Sequence, residues 1–402
     1  MPPSTPPIEF RPMNAASELP AVARLIHHAF AGPVEACRKW VEGAGVENMR
    51  VALPAGSTSP PPACLLRIPM GQYFGGRSVP MVGIAGVAVA PEARGGGLAL
   101  EMMKACVREV RTEGVPLSCL YASTQTLYRA VGYEQAGYLF TNAIPIERIG
   151  IRDRSLPVRP VTPADEPAIR ACYHAWAKAT SGMLDRGEYA WGRTRLMRDE
   201  AYEGFAIDGA GGSIAGYLFI HQRRNPVTGR HDVAVSDIAW TTGAAAHRLL
   251  GFLADFSAIG DTIEIFGGPM HLLLHGMPQQ RFISTHKDIW MLRLTDVPSA
   301  LEARGYPAAL SCSFTLDLDD EVIPENAGAW GVCIENGHAK VKREGAQRNP
   351  AHMNVRTFAG LYSGFLTASQ ARLFDTLQGP ESAIAALDAA FSSGTPTMAD
   401  RF

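Results

Sequence analysis

Hydrophobic and polar positions along the chain follow a strand-then-helix pattern that occurs twice. Residues 10–22 (FRPMNAASELPAV) are similar to residues 158–169 (VRPVTPADEPAI), displaced by 148 positions (158 minus 10). Each copy predicts a short strand, a polar helix cap and then a helix with apolar residues at helical spacing. The alternative is chance similarity, because a match of a dozen residues is short. We interpret the pair as an internal duplication.

The two copies differ in the strand, turn and helix that follow. In the first, residues 82–89 (VGIAGVAV) predict a strand, and residues 94–99 (RGGGLA) form a turn before a helix with an apolar side. In the second, residues 233–239 (VAVSDIA) and 240–247 (WTTGAAAH) keep the pattern without the arginine and the glycine run. The second copy therefore reads as a structural duplicate without a cofactor site.

From about residue 298 the pattern changes to that of a small α+β domain. Residues 314–318 alternate like a half-buried strand, and Asn336-Gly337 between residues 330–335 and 338–343 is a strong hairpin signal. Helices are predicted near residues 368–377 and 382–391. Two turn-rich loops, at 54–62 and 223–229, are predicted within the earlier copies, and Arg223 and Arg224 are expected in a solvated turn.

The glycine run has the chemistry of an anion site. Gly95, Gly96 and Gly97 permit unusual φ angles and leave backbone N–H groups exposed. These groups and the dipole of the helix that starts near Leu98 point at one spot, which suits a pyrophosphate. Arg94 can add a charge-assisted hydrogen bond. The alternative is a glycine-rich corner that binds no ligand.

The strand before this turn offers a second kind of contact. The backbone of Val87, Ala88 and Val89 at the strand's end can pair with an extended, amide-containing arm such as pantetheine. Gly86 permits a bulge that separates this strand from its neighbour. The two features together favour binding of an acyl-CoA.

The whole pattern, Val-x-Val-x-Pro-x-x-Arg-Gly-x-Gly-x-Ala ending at Ala99, resembles the GNAT superfamily of acyl-CoA-dependent N-acetyltransferases. Arg94, Gly97 and Ala99 match its signature. More narrowly, the layout resembles the Eis (enhanced intracellular survival) family. The resemblance implies an α+β fold with a catalytic GNAT domain (1–145), a degenerate second GNAT domain (146–297) and a sterol-carrier-like domain (298–402). It implies acetyl-CoA as co-substrate.

Two catalytic residues are implied by the same resemblance. In residues 122–133 (ASTQTLYRAVGY), Tyr128 takes the position of the family's general acid, and the carboxylate of Phe402 matches its terminal base. Ser123 and Thr124 can bond the cofactor arm. The alternatives are that Tyr128 is a core aromatic and that the tail is disordered, as most tails are.

Composition limits the partners and the compartment. The chain has 402 residues, is 47% hydrophobic and carries a net charge of −2, so we expect several domains and no nucleic-acid partner. Seven scattered cysteines without a Cys-x-x-Cys pair indicate reduced thiols in the cytoplasm. No signal peptide or membrane span is expected. His271 and His275 lack a third ligand, so no metal is expected.

The predicted reaction is transfer of an acetyl group from acetyl-CoA to a primary amine of a small molecule, by direct attack in a ternary complex. The resemblance implies polyamines such as aminoglycosides as acceptors, and a homo-oligomer, for which family analogy suggests a hexamer. Phe30 and Trp40 are considered as acceptor walls, with core packing preferred, and His27 and His28 as pocket or helix-surface residues. The alternatives are acetylation of peptide or lysine amines, and a non-enzymatic acyl-CoA or lipid sensor.

Overall fold

The computed structural model describes residues 7–57, 60–197, 200–269, 271–345 and 349–402. The N-terminal hexapeptide, where no signal peptide is expected, lies outside the described residues, as does part of the predicted loop at 54–62. Among the described helices, none combines the length and the apolar character that crossing a bilayer requires.

The first unit places helices on both faces of a sheet. Its elements are β1 (Ile8–Pro12), α1 (Ala15–Phe30), α2 (Val34–Gly43), β2 (Met49–Pro54), β3 (Ala63–Phe74), β4 (Arg77–Val89), α3 (Leu98–Thr112), β5 (Leu117–Tyr121), α4 (Gln125–Arg129) and β6 (Glu134–Pro145). Asn14 caps α1 by accepting a hydrogen bond from the Ala16 N–H. The apolar sides of α1 and α2 pack on one face of the sheet, and α3 packs on the other.

The second unit repeats the order of a short strand followed by a helix. Its elements are β7 (Arg159–Pro160), α5 (Glu166–Ala177), β8 (Leu184–Asp185), α6 (Glu188–Arg195), β9 (Leu196–Met197), β10 (Glu200–Ala201), β11 (Glu203–Asp208), β12 (Ile214–Arg224), β13 (His231–Trp240), α7 (Gly243–Ala254), β14 (Gly260–Gly267) and β15 (Ile283–Leu294). The expectation that Arg223 and Arg224 lie in a turn is wrong. Both belong to β12, because their backbones pair with Asp232 and His231 of β13.

The third unit is a separate sheet with helices. Its elements are α8 (Val297–Ala303), β16 (Cys312–Asp319), β17 (Gly328–Glu335), β18 (His338–Arg343), β19 (Ala351–Asn354), α9 (Val355–Ser363), α10 (Ala368–Leu373), β20 (Leu377–Gln378) and α11 (Glu381–Ala390). Asn336 and Gly337 form the predicted hairpin turn with φ angles of 52° and 78°. The helix α9 was not predicted, and α10 ends earlier than expected because Asp375 adopts a φ of 55°.

The first two units share one continuous sheet. Within the described residues it has 13 strands, in the order β1-β2-β3-β4-β5-β15-β6-β14-β13-β12-β11-β7, with β8 beside β3. The last strand of the second unit, β15, lies between β5 and β6 of the first. Its residue Trp290 pairs with Tyr121 on one side and with Gly137 on the other.

The C-terminal tail returns to the junction of these two units. The Tyr138 N–H donates to the Pro396 carbonyl at 3.1 Å, and the Thr397 N–H donates to the Ser181 carbonyl at 2.9 Å. Met398 is fully buried. The tail is therefore built into the core, and its last residues approach the first unit's sheet.

Candidate active site

A gap opens between β4 and β5. The two strands pair in parallel from Met81 and Leu117 to Ile84 and Leu120, and β4 then continues to Val89 without this partner. On its other side, β4 contains one extra residue between its pairings with Leu66 and Cys64 of β3. This is the bulge that the sequence predicted at Gly86.

Gly86 also allows a close approach. Its φ is 57°, and a side-chain carbon placed on it would lie 2.6 Å from the ring of Trp40. Trp40 is half-buried and donates a hydrogen bond to the Tyr189 hydroxyl at 2.9 Å. The backbone of Val87, Ala88 and Val89 thus lines one side of the gap, while Ala88 and Val89 pair on the other edge with Cys64 and Ala63 of β3.

The glycine run forms the start of α3. Gly97 is its N-terminal cap residue, with φ 80°, and no side chain caps the helix there. A side-chain carbon on Gly95 would meet no atom within 4 Å, and one on Gly96 would meet only the Ala93 carbonyl at 4.0 Å. Space is therefore open beside Gly95 and Gly96, next to the helix start at Leu98 and Ala99, which fits a pyrophosphate.

Arg94 lies beside this helix start. Its Nε donates to the Val89 carbonyl at 3.1 Å, which fixes the side chain next to the end of β4. The residue is exposed and forms no ion pair with a described carboxylate. Its charge is therefore free to meet an anion at the glycine run.

The corresponding helix in the second unit satisfies its own end. The Thr242 hydroxyl accepts a hydrogen bond from the Ala245 N–H at 3.2 Å and so caps α7. Near the end of β13, the rings of Trp176 and Trp240 lie 5.6 Å apart, and His271 stacks on Trp176 at 6.1 Å. These features agree with our interpretation of a copy without a cofactor site.

Tyr128 lies on α4, on the side of the sheet that α3 covers. It is 5% exposed and its ring centroid is 6.1 Å from that of Tyr133. Within the described ranges its hydroxyl makes no hydrogen bond. Burial raises the pKa of Tyr128 to about 12, so the phenol keeps its proton at neutral pH. Ser123 and Thr124 are exposed between β5 and α4.

Phe402 lies on the opposite side of the sheet. Its ring centroid is 5.7 Å from that of Tyr121, and a side-chain carbon on Gly83 would lie 2.8 Å from the Phe402 ring. Along the strand, Gly83 lies on the face opposite to that of its neighbours Val82 and Ile84. Val82 and Ile84 belong to the same hydrophobic cluster as Tyr128. The gap between β4 and β5 thus has Tyr128 on one face and Phe402 on the other.

A buried network of charges holds the tail in this position. Arg186 donates to both oxygens of Asp237 at 2.8 and 2.9 Å and to Asp400 at 2.9 Å. The Arg186 guanidinium also lies 3.7 Å from the ring centroid of Tyr173. Burial raises the pKa of the Asp400 carboxyl, and Arg186 opposes that shift. One cation thus bridges two carboxylates, one from β13 and one from the tail.

Backbone contacts complete the attachment of the tail. The Tyr121 hydroxyl donates to the Asp400 carbonyl at 2.8 Å, and the Arg193 Nε donates to the Arg401 carbonyl at 2.9 Å. Arg401 forms an ion pair with Asp288 of β15 at 3.0 Å. The terminal residue therefore occupies a fixed place, not the disordered end that most chains have.

A cavity of about 230 Å³ lies against the last four residues. Its other walls come from α6, from β12, β13 and β14, and from β6 and β15. Phe402 borders both this cavity and the gap beside β4. The cavity is therefore a place from which a second substrate can approach the gap.

Sequence reasoning missed Arg186, Asp237 and Asp400. One signal was available, because Asp237 interrupts the apolar strand 233–239, and a carboxylate in such a strand needs a buried partner. Nothing local identifies Arg186 as that partner.

Other residues considered from the sequence have ordinary structural places. The preferred core role for Phe30 is wrong, because its side chain is 56% exposed at the end of α1. His27 contacts the Gly32 carbonyl at 2.6 Å and thereby closes α1. In the described part of the chain, no group of three or more His, Cys, Asp or Glu residues could hold a metal ion.

Comparisons with known proteins match all three units. Two models of acetyltransferase (GNAT) domains match residues 9–136 and 182–294, and the model of a sterol carrier protein domain matches residues 297–399. N-acetyltransferase Eis of Mycobacterium tuberculosis is 27% identical over 339 residues, which is 80% of each chain. An uncharacterized N-acetyltransferase of Streptomyces coelicolor is 28% identical over 312 residues, or 72% of this chain and 73% of that one.

Solved structures also match this chain over nearly its whole length. The crystal structure of a GCN5-related N-acetyltransferase from Anabaena variabilis superposes with a TM-score of 0.91 at 30% identity, over 98% of this chain and 100% of that one. Eis1 from Mycobacterium abscessus shares the fold, with a TM-score of 0.78 at 21% identity, over 98% of this chain and 100% of that chain.

Proposed function

Because the chain belongs to the Eis-like GCN5-related N-acetyltransferases, we propose that it transfers the acetyl group of acetyl-CoA to a primary amine of a small molecule. The observation that carries this proposal is the gap between β4 and β5. An uncapped helix start lies beside this gap, a buried phenol lies on one face and the chain's last residue lies on the other.

The first unit supplies the contacts for acetyl-CoA. The N–H groups at Gly95, Gly96 and Gly97 and the start of α3 hold the pyrophosphate, with Arg94 beside them. The pantetheine arm pairs with the backbone of β4 from Val87 to Val89, and Ser123 and Thr124 bond it from the β5 side. The thioester then lies where β4 and β5 separate.

In the proposed reaction the amine attacks the thioester carbonyl carbon directly. The C–N bond forms, the C–S bond then breaks, and the Tyr128 phenol gives its proton to the departing CoA thiolate. The carboxylate of Phe402 takes a proton from the ammonium group of the acceptor, directly or through a water. The nitrogen loses a second proton as the amide forms. One of the two protons restores the phenol, and the other is released to solvent.

The cysteines support direct transfer over a covalent acyl-enzyme. Cys64, Cys106 and Cys119 are fully buried in the first unit. Burial raises the pKa of Cys64 and of Cys106 to about 12, so neither is a thiolate at neutral pH. These buried thiols are therefore not available as nucleophiles, which favours direct attack by the amine in a ternary complex.

The enclosed cavity at the tail favours a small acceptor over a peptide, which would need an open groove. Polyamines such as aminoglycosides and the hexamer stay predictions from the family resemblance, and the cytoplasm stays a prediction from the cysteine pattern. In the sensor alternative, acetyl-CoA would bind without turnover, and Tyr128→Phe would change nothing measurable.

The direct test measures thiol release from acetyl-CoA with a panel of amines, together with mass spectrometry of the products. We expect amine-dependent release with one acetyl group per CoA. Tight binding of CoA without turnover of any amine would favour the sensor instead.

Variants at the chain's end test the proposed base. Deleting Phe402 should lower kcat about tenfold or more while the KM for acetyl-CoA stays within twofold, because proton transfer contributes on the order of 10²–10⁴ in rate. The Phe402→Ala variant keeps the carboxylate but loses the ring contact with Gly83. Its kcat should therefore lie between those of the wild type and the deletion variant. Unchanged kcat in the deletion variant would exclude the carboxylate.

The cofactor site is tested separately. Arg94→Ala should raise the KM for acetyl-CoA several-fold because it removes a cation at the glycine run. His247→Ala, in the corresponding helix of the second unit, should leave that KM unchanged, since α7 already has its own cap.

A further inference from the structure

The cavity at the tail has charges that select the acceptor. We propose that the acceptor amine carries an anionic group, as a free amino acid does, and that Lys287 and Arg193 bind that group. This inference rests on the proposed function, since it concerns the second substrate of the same site.

Four cations line the cavity, and two of them already have carboxylate partners. Arg223 pairs with Glu200 at 2.5 Å, and Arg401 pairs with Asp288 at 3.0 Å. Among the residues that the structure describes, Arg193 donates only to the Arg401 carbonyl and the Tyr189 hydroxyl, at 2.9 and 3.4 Å. Lys287 is exposed and makes no hydrogen bond or ion pair with the described residues.

The lining carboxylates are fewer. Asp400 is held by Arg186, which it shares with Asp237. Glu264 is exposed, forms no ion pair with a described residue, and interacts electrostatically with Arg223. After these pairings, two cations (Arg193 and Lys287) and two carboxylates (Glu264 and the terminal carboxylate of Phe402) remain in the wall of the cavity.

The backbone directs Lys287 to this place. Along β15, His286 pairs with Phe140 and Asp288 pairs with Leu139, so Lys287 is the extra residue of a β-bulge. A bulge turns a side chain away from the regular alternation of a strand. Lys287 lines the cavity because of this irregularity.

The size of the cavity points the same way. Its volume of about 230 Å³ lies below the roughly 300–1,000 Å³ of sites for drug-sized ligands. Apolar side chains such as Leu139, Met197 and Phe266 form part of the wall. A single compact molecule with an apolar body, one amine and one anionic group fits this lining.

A polycation does not match these charges. Several ammonium groups in this space would lie near Arg193 and Lys287, which repel them, and only Glu264 and the terminal carboxylate of Phe402 would attract them. An anionic group would satisfy the two free cations, while the amine is left for the Phe402 carboxylate. The charges thus separate amino-acid-like amines from polyamines.

The test uses acceptor pairs that differ only in the carboxylate: L-phenylalanine with 2-phenylethylamine, and L-leucine with isoamylamine, with spermidine as polycation. We expect kcat/KM at least about tenfold higher for the amino acid of each pair than for its amine. Lys287→Gln should reduce that ratio about tenfold by lowering turnover of the amino acids, while Lys340→Gln, an exposed lysine of β18, should not change it.

Equal or better turnover of the amines or of spermidine would overturn this inference and leave the proposed function intact. If no acceptor is turned over, the proposed function fails, and calorimetric binding of the same pairs to the CoA-saturated protein decides the inference. Preferential binding of the amino acids that is lost in Lys287→Gln would support it. Equal binding within each pair would overturn it.

Discussion

At the scale of single residues, we expect one of two neighbouring tyrosines to take part in the reaction and the other to stabilise the fold. Tyr128 and Tyr133 are both buried, and their rings are in contact. The Tyr133 hydroxyl shares a hydrogen bond of 2.7 Å with the Ser118 hydroxyl, whereas that of Tyr128 has no partner among the described residues. Replacement by phenylalanine should therefore mainly lower the reaction rate at Tyr128 and mainly lower the stability of the fold at Tyr133.

We predict that Tyr128→Phe lowers kcat by about 10²-fold or more and changes the free energy of unfolding by less than about 0.5 kcal/mol. Tyr133→Phe should cost about 1 kcal/mol, because it leaves the buried Ser118 hydroxyl with one bond fewer, and should keep most of the activity. Steady-state kinetics and denaturant titration of both variants measure this. Similar kinetics for the two variants would contradict the role of Tyr128 as acid.

The lowered pKa of a buried histidine in the second unit leads us to predict that the stability of the fold depends on pH. His271 is buried beside Trp176, and burial lowers its pKa to about 4. The unfolded chain takes up a proton near pH 6.5, but the folded chain does not until about pH 4. Stability should therefore fall as the pH drops between these values, by at most about 3 kcal/mol from this group, and level off below.

Denaturation at pH 7, 5.5 and 4 should show a smaller loss for His271→Asn than for the wild type, because asparagine can still accept the Leu273 N–H at that cap. The control is His275→Asn, since His275 is exposed. Identical pH profiles for wild type and His271→Asn would show that His271 titrates normally.

At the scale of elements, the tail is held by a charge network that no local pattern reveals. We predict that Arg186→Met lowers kcat about tenfold or more while leaving the KM for acetyl-CoA within about twofold. The tail loses its partner at Asp400, whereas the glycine run is untouched. Because Asp400 would lose its cation and Asp237 would keep only Arg195, at 3.8 Å, stability should fall by about 3–5 kcal/mol.

A double variant, Arg186→Met with Asp237→Asn, serves as the control for this prediction. The double variant should recover part of the stability, since one of the two carboxylates that lose Arg186 is gone. It should not recover the rate. Recovery of the rate as well would mean that Arg186 acts only through folding.

The sequence predicted those elements whose causes are local. The duplicated start, the bulge at Gly86 and the hairpin turn at Asn336 each depend on a few adjacent residues. The α+β class, with two GNAT domains and a sterol carrier domain, is confirmed, and so is the N-acetyltransferase class. The individual site residues and the domain boundaries stay predictions.

The remaining features depend on residues far apart in the chain. Arg186 meets Asp400 across 214 positions, and Lys287 reaches the cavity only because of a bulge in β15. Patterns of period two or 3.6 report on faces of single elements and carry no information on such meetings. The charges that select the acceptor therefore emerge only in the folded chain.

At the scale of the whole molecule, the two GNAT units are joined by β15. This strand separates β5 from β6, so the first unit's sheet is complete only when residues 283–294 are present. We predict that residues 1–145 alone show no cooperative thermal unfolding by circular dichroism, because the edges of β5 and β6 and the apolar surface around Trp290 lack their cover.

Co-expression with residues 146–402 should restore a folded, CoA-binding complex, since the second fragment contains β15 and the tail. A folded and monomeric first fragment would show that β15 is dispensable. A mixture that stays unfolded would show that the two units need one continuous chain.

The placement of β15 also has a consequence for synthesis on the ribosome. Tyr121 must wait for Trp290, 169 positions later, before β5 has both neighbours. At about 5–20 residues per second, this interval lasts roughly 10–30 s, far longer than a hairpin needs to form. A nascent chain of this protein therefore spends that time with an open strand edge, and a stalled or prematurely ended translation product is a natural client for chaperones and proteases.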